Sequence, residues 1–323
     1  MSKKIVHTVI VVTYNHERFI SAALDSILTG QKIADQIIIV DDCSNDSTVK
    51  VVETYQVRYP YIIEVISNDT NLGVFDNLNK IYSLPVKGNI ISFLGGDDIY
   101  DPSLLAEIDA EILRLKLDPL NDSFMTLPNV ANILLDDTIE FLDNSLINNL
   151  SKISPFQIAL RSKLYSMHVG ISFDLYRQWA SFPENAMNGI GIYADLIHYL
   201  SNIKSCKYLI PVTNATTYHR VGVGMTSRSH LLSPQESKLR AMKIIESQFK
   251  SDLDFSDRIY IKYSMSIDKI YTSKSVLELI KALLILPVGL SVDEVDKAYY
   301  LTSLNTLTHD LIKKINFIFR KLL

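Results

Sequence analysis

Cysteine is scarce in this chain, and its spacing excludes several classes of protein. Only two cysteines occur among 323 residues, and neither lies in a Cys-x-x-Cys pair or a Cys/His zinc spacing. A disulfide framework is therefore not expected, and a reducing cytoplasm suits the composition better. The Gly-x-Gly-x-x-Gly pattern is also missing after the first strand-like run, which argues against a Rossmann dehydrogenase.

Long apolar runs and a strong net charge are missing as well. The most apolar stretch near the C-terminus, residues 283–290, is interrupted by Pro287 and is too short to span a bilayer. Residues 1–4 lead directly into a strand-like run without a signal-peptide pattern. The formal net charge of -4 gives no reason to expect a nucleic-acid partner. We predict a cytoplasmic protein, with peripheral contact to the cytoplasmic face of the membrane as an open alternative.

The N-terminal third alternates strand-like and helix-like segments. Apolar, β-branched runs occur at 6–12, 36–40, 62–66 and 89–94. Helix-like patterns lie between them, at about 17–28, 47–58 and 74–83. This alternation predicts an α/β fold with a mixed, mostly parallel sheet flanked by helices. Asp101 and Pro102 are expected to open another helix as N-cap and first helical residue, whereas residues 119–165 predict loops and short helices.

The C-terminal part has a helical pattern. Residues 233–236, Ser-Pro-Gln-Glu, form a capping box with proline at the first helical position. The last segment, about 307–323, carries apolar residues on one face and basic residues on another. It would either pack on protein, including a second subunit, or lie on an anionic membrane surface. We therefore predict an α/β domain over 1–230 and a helical region over 231–323.

Two pairs of adjacent aspartates follow buried strand-like runs. Asp41 and Asp42 follow the second run, and Asp97 and Asp98 follow the fourth run after two glycines. Ligands of parallel α/β sheets bind at the carboxyl ends of the strands, where four carboxylates would be costly without partners. Suitable partners are Mg²⁺ or Mn²⁺, or the donor groups of a base and a ribose. The two glycines would allow a bulky ligand to approach the backbone.

Other strand ends carry polar residues with simpler interpretations. Thr13-Tyr14-Asn15 ends the first run, and Glu17 begins the following helix. Asn71-Leu72-Gly73 follows the third run and is also typical of an ordinary turn at a helix entry. The segment from Asn45 to Ser47 has the composition of a helix cap.

In this order and spacing, the segments resemble family 2 inverting glycosyltransferases with the nucleotide-diphospho-sugar transferase (GT-A) fold. The similarity is strong over residues 5–105 and weaker as far as about 226. The segments that carry it are Val9-Ile10-Val11-Val12-Thr13-Tyr14-Asn15, Ile39-Val40-Asp41-Asp42-Cys43-Ser44-Asn45-Asp46-Ser47-Thr48, Asn71-Leu72-Gly73 and Phe93-Leu94-Gly95-Gly96-Asp97-Asp98.

The resemblance implies a nucleotide-sugar donor site in residues 1–118 and an acceptor site in 119–230. Asp41 would hydrogen-bond the base, usually uracil in this family, and Asp97 would bind the ribose or the donor sugar. The other donor-site residues implied are Thr13, Tyr14, Asn15, Glu17, Asn71, Gly73 and Arg220.

A divalent metal, Mn²⁺ or Mg²⁺, also follows from the resemblance, with Asp98 and His219 as its ligands. Gly95 stands where relatives often carry an aspartate, so metal contact is expected through Asp98. Arg220 would offset phosphate charge. His219 could bind phosphate instead of the metal, and a structural role is the alternative for both His219 and Arg220.

The catalytic base of such an enzyme is a carboxylate at the start of a helix on the acceptor side. Asp195 fits this slot, although Ala194 replaces the first acid of the usual Glu-Asp pair. The alternative is a carboxylate that merely favours a helix N-terminus.

The expected function is the transfer of a sugar from a nucleotide-diphospho-sugar donor, preferably a UDP-sugar, to an acceptor hydroxyl group. The configuration at the anomeric carbon would be inverted. The expected acceptor is a glycan or an undecaprenyl-diphosphate-linked oligosaccharide of bacterial O-antigen or capsule synthesis. A degenerate, non-catalytic binding or assembly protein is the first alternative. A sugar-1-phosphate nucleotidyltransferase is disfavoured, because residues 13–17 lack a glycine-rich basic signature.

Overall fold

The structure, a computed structural model, describes residues 4–142, 155–156, 160, 169–178, 194–223, 234–253, 257–258, 261 and 264–265. The chain divides into two compact units. One unit consists of Met1–Glu184 and His198–Arg228, and the other of Asn185–Ile197 and Ser229–Leu323. The sheet and the polar cluster described below belong to the first unit.

Four parallel strands alternate with helices in the N-terminal part, as the sequence predicts. The strands are β1 (His7–Thr13), β2 (Gln36–Asp41), β3 (Ile63–Ser67) and β4 (Ile90–Gly95). The helices between them are α1 (Ile20–Leu28), α2 (Thr48–Arg58) and α3 (Val74–Ile81). These strands lie in the order β3-β2-β1-β4, so the carboxyl ends of β2, β1 and β4 are neighbours.

The strand interiors form the core because helices cover the sheet. All six residues of β2 are buried. Alternate side chains of the sheet, such as Val9 and Ile39, pack in one cluster with Leu24 and Ile27 of α1. Full burial of a side chain of this size contributes about 1.5–3 kcal/mol, which fixes the strand register and with it the positions of the strand ends.

The remaining elements extend the sheet beyond β4. They are β5 (Ile99–Tyr100), α4 (Leu104–Leu115), β6 (Phe124–Ile133), β7 (Ile139–Phe141), β8 (Val169–Ser172), α5 (Phe173–Tyr176), α6 (Ala194–Ile203), β9 (Tyr208–Arg220) and α7 (Pro234–Gln248). Within the described ranges, the order is β3-β2-β1-β4-β8-β6-β9-β5, with β7 paired to β6. β8 is antiparallel to β4 and β6, whereas β6 and β9 are parallel. The predicted mixed α/β sheet with flanking helices is thus confirmed.

Two local predictions are wrong. The expectation of loops and short helices over 119–165 misses β6, a ten-residue strand buried along nearly its whole length. Its residues Pro128 and Asn129 lie at an irregularity in its pairing with β9, where a strand tolerates proline. Asp101 is not the N-cap of α4. Ser103 holds that position, and the Asp101 carboxylate accepts its N–H at 2.8 Å in a preceding turn.

In the second unit, α7 begins at Pro234, the residue that the capping box places first in the helix. Ser233 and the basic amphipathic segment 307–323 lie outside the described residues. None of the helices in the described part of the chain has the length and apolar character required to cross a membrane.

Candidate functional site

The polar site lies where the strands β1, β2, β4 and β9 end. Thr13 pairs with Asp41 across β1 and β2, and Val12 pairs with Gly95 across β1 and β4. The chain then turns through Asp97 and Asp98 into β5, which is antiparallel to β9. This antiparallel pairing brings the end of β9 next to the turn after β4.

Asp98 and the end of β9 are in direct contact. Nδ1 of His219 lies 3.0 Å from Oδ1 and 3.2 Å from Oδ2 of Asp98. The backbone N–H of Arg220 donates to the same Oδ1 at 2.9 Å. The structure therefore brings together the two side chains predicted to bind metal.

Burial and mutual contact shape the acid–base properties of this cluster. Burial and the adjacent Asp98 charge raise the pKa of Asp97. Burial alone would lower the pKa of His219, but its hydrogen bond to Asp98 and the Asp98 charge raise it overall. Excess negative charge is thus concentrated at this point of the sheet edge, which suits a cation or a ligand rich in donors.

The Asp98–His219 contact has the length of an ordinary hydrogen bond, and the same separation is compatible with two ligands of a hexacoordinate metal ion. Two ligand atoms at right angles on an ion with bonds of about 2.1 Å are about 3 Å apart, close to the observed separation. Carboxylate oxygen and imidazole nitrogen are both ligands of Mn²⁺ and related ions. No group of three or more His, Cys, Asp or Glu residues able to hold a metal occurs among the described residues, so these two side chains supply only part of a coordination shell.

Asp41 organises the loop that follows β2. Its Oδ1 accepts the Ser44 hydroxyl at 2.5 Å and its Oδ2 accepts the Ser44 N–H at 2.9 Å. Ser44 Oγ in turn accepts the N–H of Asn15 at 2.9 Å, and Asn15 Oδ1 accepts the N–H of Asn45 at 2.8 Å. Each carboxylate oxygen can accept a second hydrogen bond, so this geometry is compatible with the predicted contact to a base.

Glu17 joins the same two loops at the start of α2. Its carboxylate accepts the N–H of Ser47 at 2.9 Å, while its own N–H donates to Asp46 at 3.1 Å. Asp46 also accepts the N–H and hydroxyl of Thr48, the first residue of α2, whereas Ser47 at the N-cap makes no side-chain capping hydrogen bond. Tyr14, between Thr13 and Asn15, is partly exposed.

Asp42, which the sequence analysis did not place in the site, fixes the loop after β3. Its carboxylate accepts the N–H of Leu72 at 2.8 Å and of Gly73 at 2.9 Å, and the side-chain amide of Asn68 at 2.9 Å. Asn71 donates to the Asp42 carbonyl at 3.1 Å. Gly73 has φ +79 and precedes α3, which confirms the turn and helix entry predicted for 71–73. The signal for Asp42 was its position beside Asp41 at a strand end.

Arg220 is held by three neighbours. Its Nη1 donates to Asp137 at 2.9 Å, its Nε donates to the Asp97 carbonyl at 3.3 Å, and its guanidinium lies 4.7 Å from the Phe19 ring centroid. Asp137 lies in the turn between β6 and β7 and is largely exposed. An anion bound at Arg220 would therefore compete with Asp137.

Asp195 lies in the first turn of α6, as the sequence predicts, and belongs to the second unit. Its side chain lies outside the described part of the chain.

The overall fold is the GT-A fold, as its similarity to two solved structures shows. The structure of Staphylococcus aureus TarS 1-349 in complex with UDP-GlcNAc has a TM-score of 0.58 at 19% identity, covering 87% of this chain and 82% of that chain. A mannosyltransferase from Pyrobaculum calidifontis in complex with GDP-Man and Mn²⁺ has a TM-score of 0.56 at 15% identity, covering 98% of this chain and 88% of that chain.

Sequence comparison relates the N-terminal part to a known family. Residues 8–118 match the model of glycosyl transferase family 2. The S. aureus poly(ribitol-phosphate) beta-N-acetylglucosaminyltransferase TarS is 26% identical over 165 residues, which cover 47% of this chain and 28% of TarS. An uncharacterized glycosyltransferase of Mycoplasma pneumoniae is 37% identical over 102 residues, 31% of this chain and 34% of the relative. The matches thus span about a third or less of these relatives.

Proposed function

We propose that this protein is an inverting glycosyltransferase that transfers a sugar from a nucleotide diphosphate to an acceptor hydroxyl. The observation that carries the proposal is the contact between Asp98 and His219 at the sheet edge, beside Asp97. Asp97 and Asp98 lie within the segment that matches family 2, which also supplies the ends of β1, β2 and β4. A divalent cation would balance the negative charge concentrated there and would attract the anionic diphosphate of a donor.

The nucleoside end of the donor would lie on the loops that follow β1 and β2. Hydrogen bonds through Ser44 and Glu17 join these loops, so Asn15 and Asp41 are held in place before a ligand arrives. Such preorganisation reduces the entropy lost on binding. We favour UDP because TarS is described in complex with UDP-GlcNAc, whereas the mannosyltransferase in complex with GDP-Man makes GDP the necessary comparison.

Asp98 and His219 would hold Mn²⁺ or Mg²⁺ at the diphosphate. When bound, the ion would neutralise negative charge that develops on the departing nucleotide. Arg220 would add a fixed positive charge on the same side, once its contact with Asp137 is exchanged for phosphate. Asp97, next to Asp98, would accept hydrogen bonds from the ribose or the donor sugar.

Asp195 would act as the general base. As the acceptor oxygen forms its bond to the anomeric carbon, Asp195 would take the hydroxyl proton and the bond to the nucleotide diphosphate would break. This single displacement inverts the anomeric centre. We further propose an acceptor from bacterial surface-polysaccharide synthesis, either a glycan or a lipid-linked oligosaccharide used at the cytoplasmic face of the membrane.

The first experiment is calorimetric titration of the full chain with UDP and with GDP, in Mn²⁺ and then in EDTA. Metal-dependent UDP binding with little GDP binding is expected. Glu53→Gln, which removes an exposed carboxylate from α2, is the matched control for charge changes in the site. Failure of both nucleotides to bind in either condition would contradict the proposal.

A second measurement separates an enzyme from a non-catalytic binding protein. Release of UDP from UDP-sugars in Mn²⁺ can be followed without knowing the acceptor, because glycosyltransferases hydrolyse their donors slowly. Nucleotide binding without any release across a panel of UDP-sugars would favour the binding or assembly alternative.

A further inference from the structure

His16, a residue of the loop after β1, lies between two groups of the candidate donor site. Its Nδ1 is 3.2 Å from the hydroxyl of Thr13, and its Nε2 is 3.8 Å from Oδ2 of Asp97. Only 13% of each side chain, His16 and Asp97, is exposed. The imidazole therefore bridges the ends of two neighbouring strands, β1 and β4.

The backbone holds His16 in place independently of its ring. Its N–H donates to the Thr48 hydroxyl at 2.8 Å, and its carbonyl accepts the N–H groups of Phe19 and Ile20, both at 2.9 Å, at the start of α1. The loop therefore does not require a histidine ring to keep its conformation. The side chain is free to serve a separate purpose.

Gly96 provides the space that the ring occupies. A Cβ atom at this position would lie 2.7 Å from His16 Nδ1 and 2.7 Å from Thr13 Oγ1. Both distances are shorter than any normal contact, so a side chain at residue 96 would displace the ring. The absence of a side chain at Gly96 therefore allows the His16 ring to occupy its observed position.

We infer that His16 is a positioning residue that holds the Asp97 carboxylate in the orientation that receives the donor. This role rests on the proposed donor-binding function. The tautomer that satisfies both contacts has the proton on Nε2, so that the Thr13 hydroxyl donates to Nδ1 and Nε2–H faces Asp97. The Asp98 charge repels the Asp97 carboxylate, whereas the imidazoles of His16 and His219 attract it. A shift of well under 1 Å would convert the separation into a hydrogen bond.

A packing role is the simpler alternative, and a pair of substitutions separates the two. His16→Gln places an amide nitrogen near the position of Nε2 and can still face Asp97. His16→Asn reaches only the position of Nδ1 and keeps the contact to Thr13 alone. Both variants remove the ring, so a packing role predicts similar losses, whereas the positioning role predicts rescue by glutamine.

The test is calorimetric titration in Mn²⁺ with whichever of UDP and GDP the wild-type protein binds. We expect His16→Asn to weaken binding about tenfold, the size of the hydrogen bond to a charged group that forms once Nε2 and Asp97 Oδ2 close from 3.8 Å on donor binding. His16→Gln should stay within about threefold of wild type. In an Asp97→Asn background, where the charge is already gone, His16→Asn should cost less than about twofold.

The outcomes distinguish this inference from the function on which it rests. Equal losses in His16→Asn and His16→Gln, or an undiminished His16→Asn effect in the Asp97→Asn background, would overturn the role of His16 and leave the donor site intact. A wild-type protein that binds neither nucleotide would overturn the donor site and the role of His16 together. Circular dichroism of each variant identifies any that has lost its fold, and glutamine rescue still decides the question if the asparagine variant does not fold.

Discussion

His219 Nδ1 lies 3.0 Å from Asp98 Oδ1, although the two residues are 121 positions apart in the chain. The antiparallel pairing of Ile99 with Tyr218 places the adjacent residues side by side, so the contact follows from the sheet. The hydrogen bond from the Arg220 backbone fixes the carboxylate from the same strand. A substitution at either side chain therefore tests one and the same centre.

We predict that Asp98→Asn abolishes metal-assisted binding of UDP while preserving the fold, since asparagine has the same size. Loss of a charged metal ligand should weaken UDP affinity in Mn²⁺ by at least about tenfold and leave affinity in EDTA nearly unchanged. Calorimetry under both conditions measures the difference, with Glu53→Gln as the charge control. Near-normal metal-dependent binding in Asp98→Asn would contradict the metal assignment.

Gly95, the departure from the family pattern, leads to a second prediction. A Cβ atom at residue 95 would lie 2.8 Å from Asp98 Oδ2 and 2.9 Å from Asp97 Oδ1. Gly95→Asp, which restores the acid common in relatives, should therefore displace both carboxylates and weaken Mn²⁺-dependent UDP binding rather than strengthen it. Gly88→Ala is the control, because its Cβ would strike the backbone near Thr8 at the opposite end of the strands. It should lower stability by about 1–3 kcal/mol without changing the affinity of the folded protein.

Much of the N-terminal architecture could be predicted from sequence, because each buried strand is a continuous apolar run followed by polar residues. Such patterns are local, and the bounds of β1 to β4 differ from the prediction by only one residue. The strand β6 could not be found in this way. Its pairing partners β8 and β9 are distant in sequence, and its polar residues Asn129 and Asn132 interrupt the apolar run.

In the candidate site as well, features that depend on neighbouring residues in the sequence could be predicted, whereas contacts between distant elements could not. The positions of Asp41, Asp97 and Asp98 at the ends of β2 and β4 could be predicted from the sequence of each strand alone. The contact of Arg220 with Asp137 could not, because it depends on the turn between β6 and β7. Asp42 was visible as a neighbour of Asp41, but its role in fixing the loop at Leu72 and Gly73 requires the pairing of β2 with β3.

The contact between Arg220 and Asp137 leads to a prediction of increased affinity. If the guanidinium binds the diphosphate, Asp137 is a competing anion, and Asp137→Asn should tighten UDP binding about two- to fivefold, in keeping with an exposed ion pair. Asp136→Asn is the matched control, since Asp136 lies in the same turn and accepts the N–H of Thr138 instead. Unchanged or weaker binding in Asp137→Asn, relative to Asp136→Asn, would count against a phosphate role for Arg220.

His7 predicts a pH dependence of stability that is unrelated to the site. The ring is fully buried, with Nε2 2.7 Å from Asp109 Oδ1 and with Nδ1 lacking a hydrogen-bond partner among the described residues. Burial lowers the pKa of His7 below its ordinary value of 6.5, although Asp109 opposes the shift. Below pH 6.5 the unfolded chain therefore binds a proton that the folded protein does not. The free energy of unfolding thus decreases as the pH is lowered from 6.5 to the lowered pKa of the folded state.

The expected size of this effect is up to about 1.4 kcal/mol between about pH 7.5 and about pH 5.5. His7→Gln can still donate to Asp109 but does not titrate, so its free energy of unfolding should fall less over this interval. Urea denaturation at the two pH values measures the difference. Identical pH dependence in both proteins would show that His7 accepts its proton in the folded state as readily as in the unfolded chain.

Asp195 provides the test of the proposed chemistry. Asp195→Asn removes the base but keeps the size and polarity of the side chain, so we expect transfer to fall by about 10²–10⁴-fold, the usual contribution of general acid–base catalysis. Donor binding should remain within about twofold, because a base on the acceptor side does not contact the nucleotide. Rate measurements with the identified donor and acceptor, combined with UDP calorimetry, separate the two effects. Transfer that survives in Asp195→Asn would assign the base to another residue, whereas a joint loss of transfer and UDP binding would place Asp195 in the donor site.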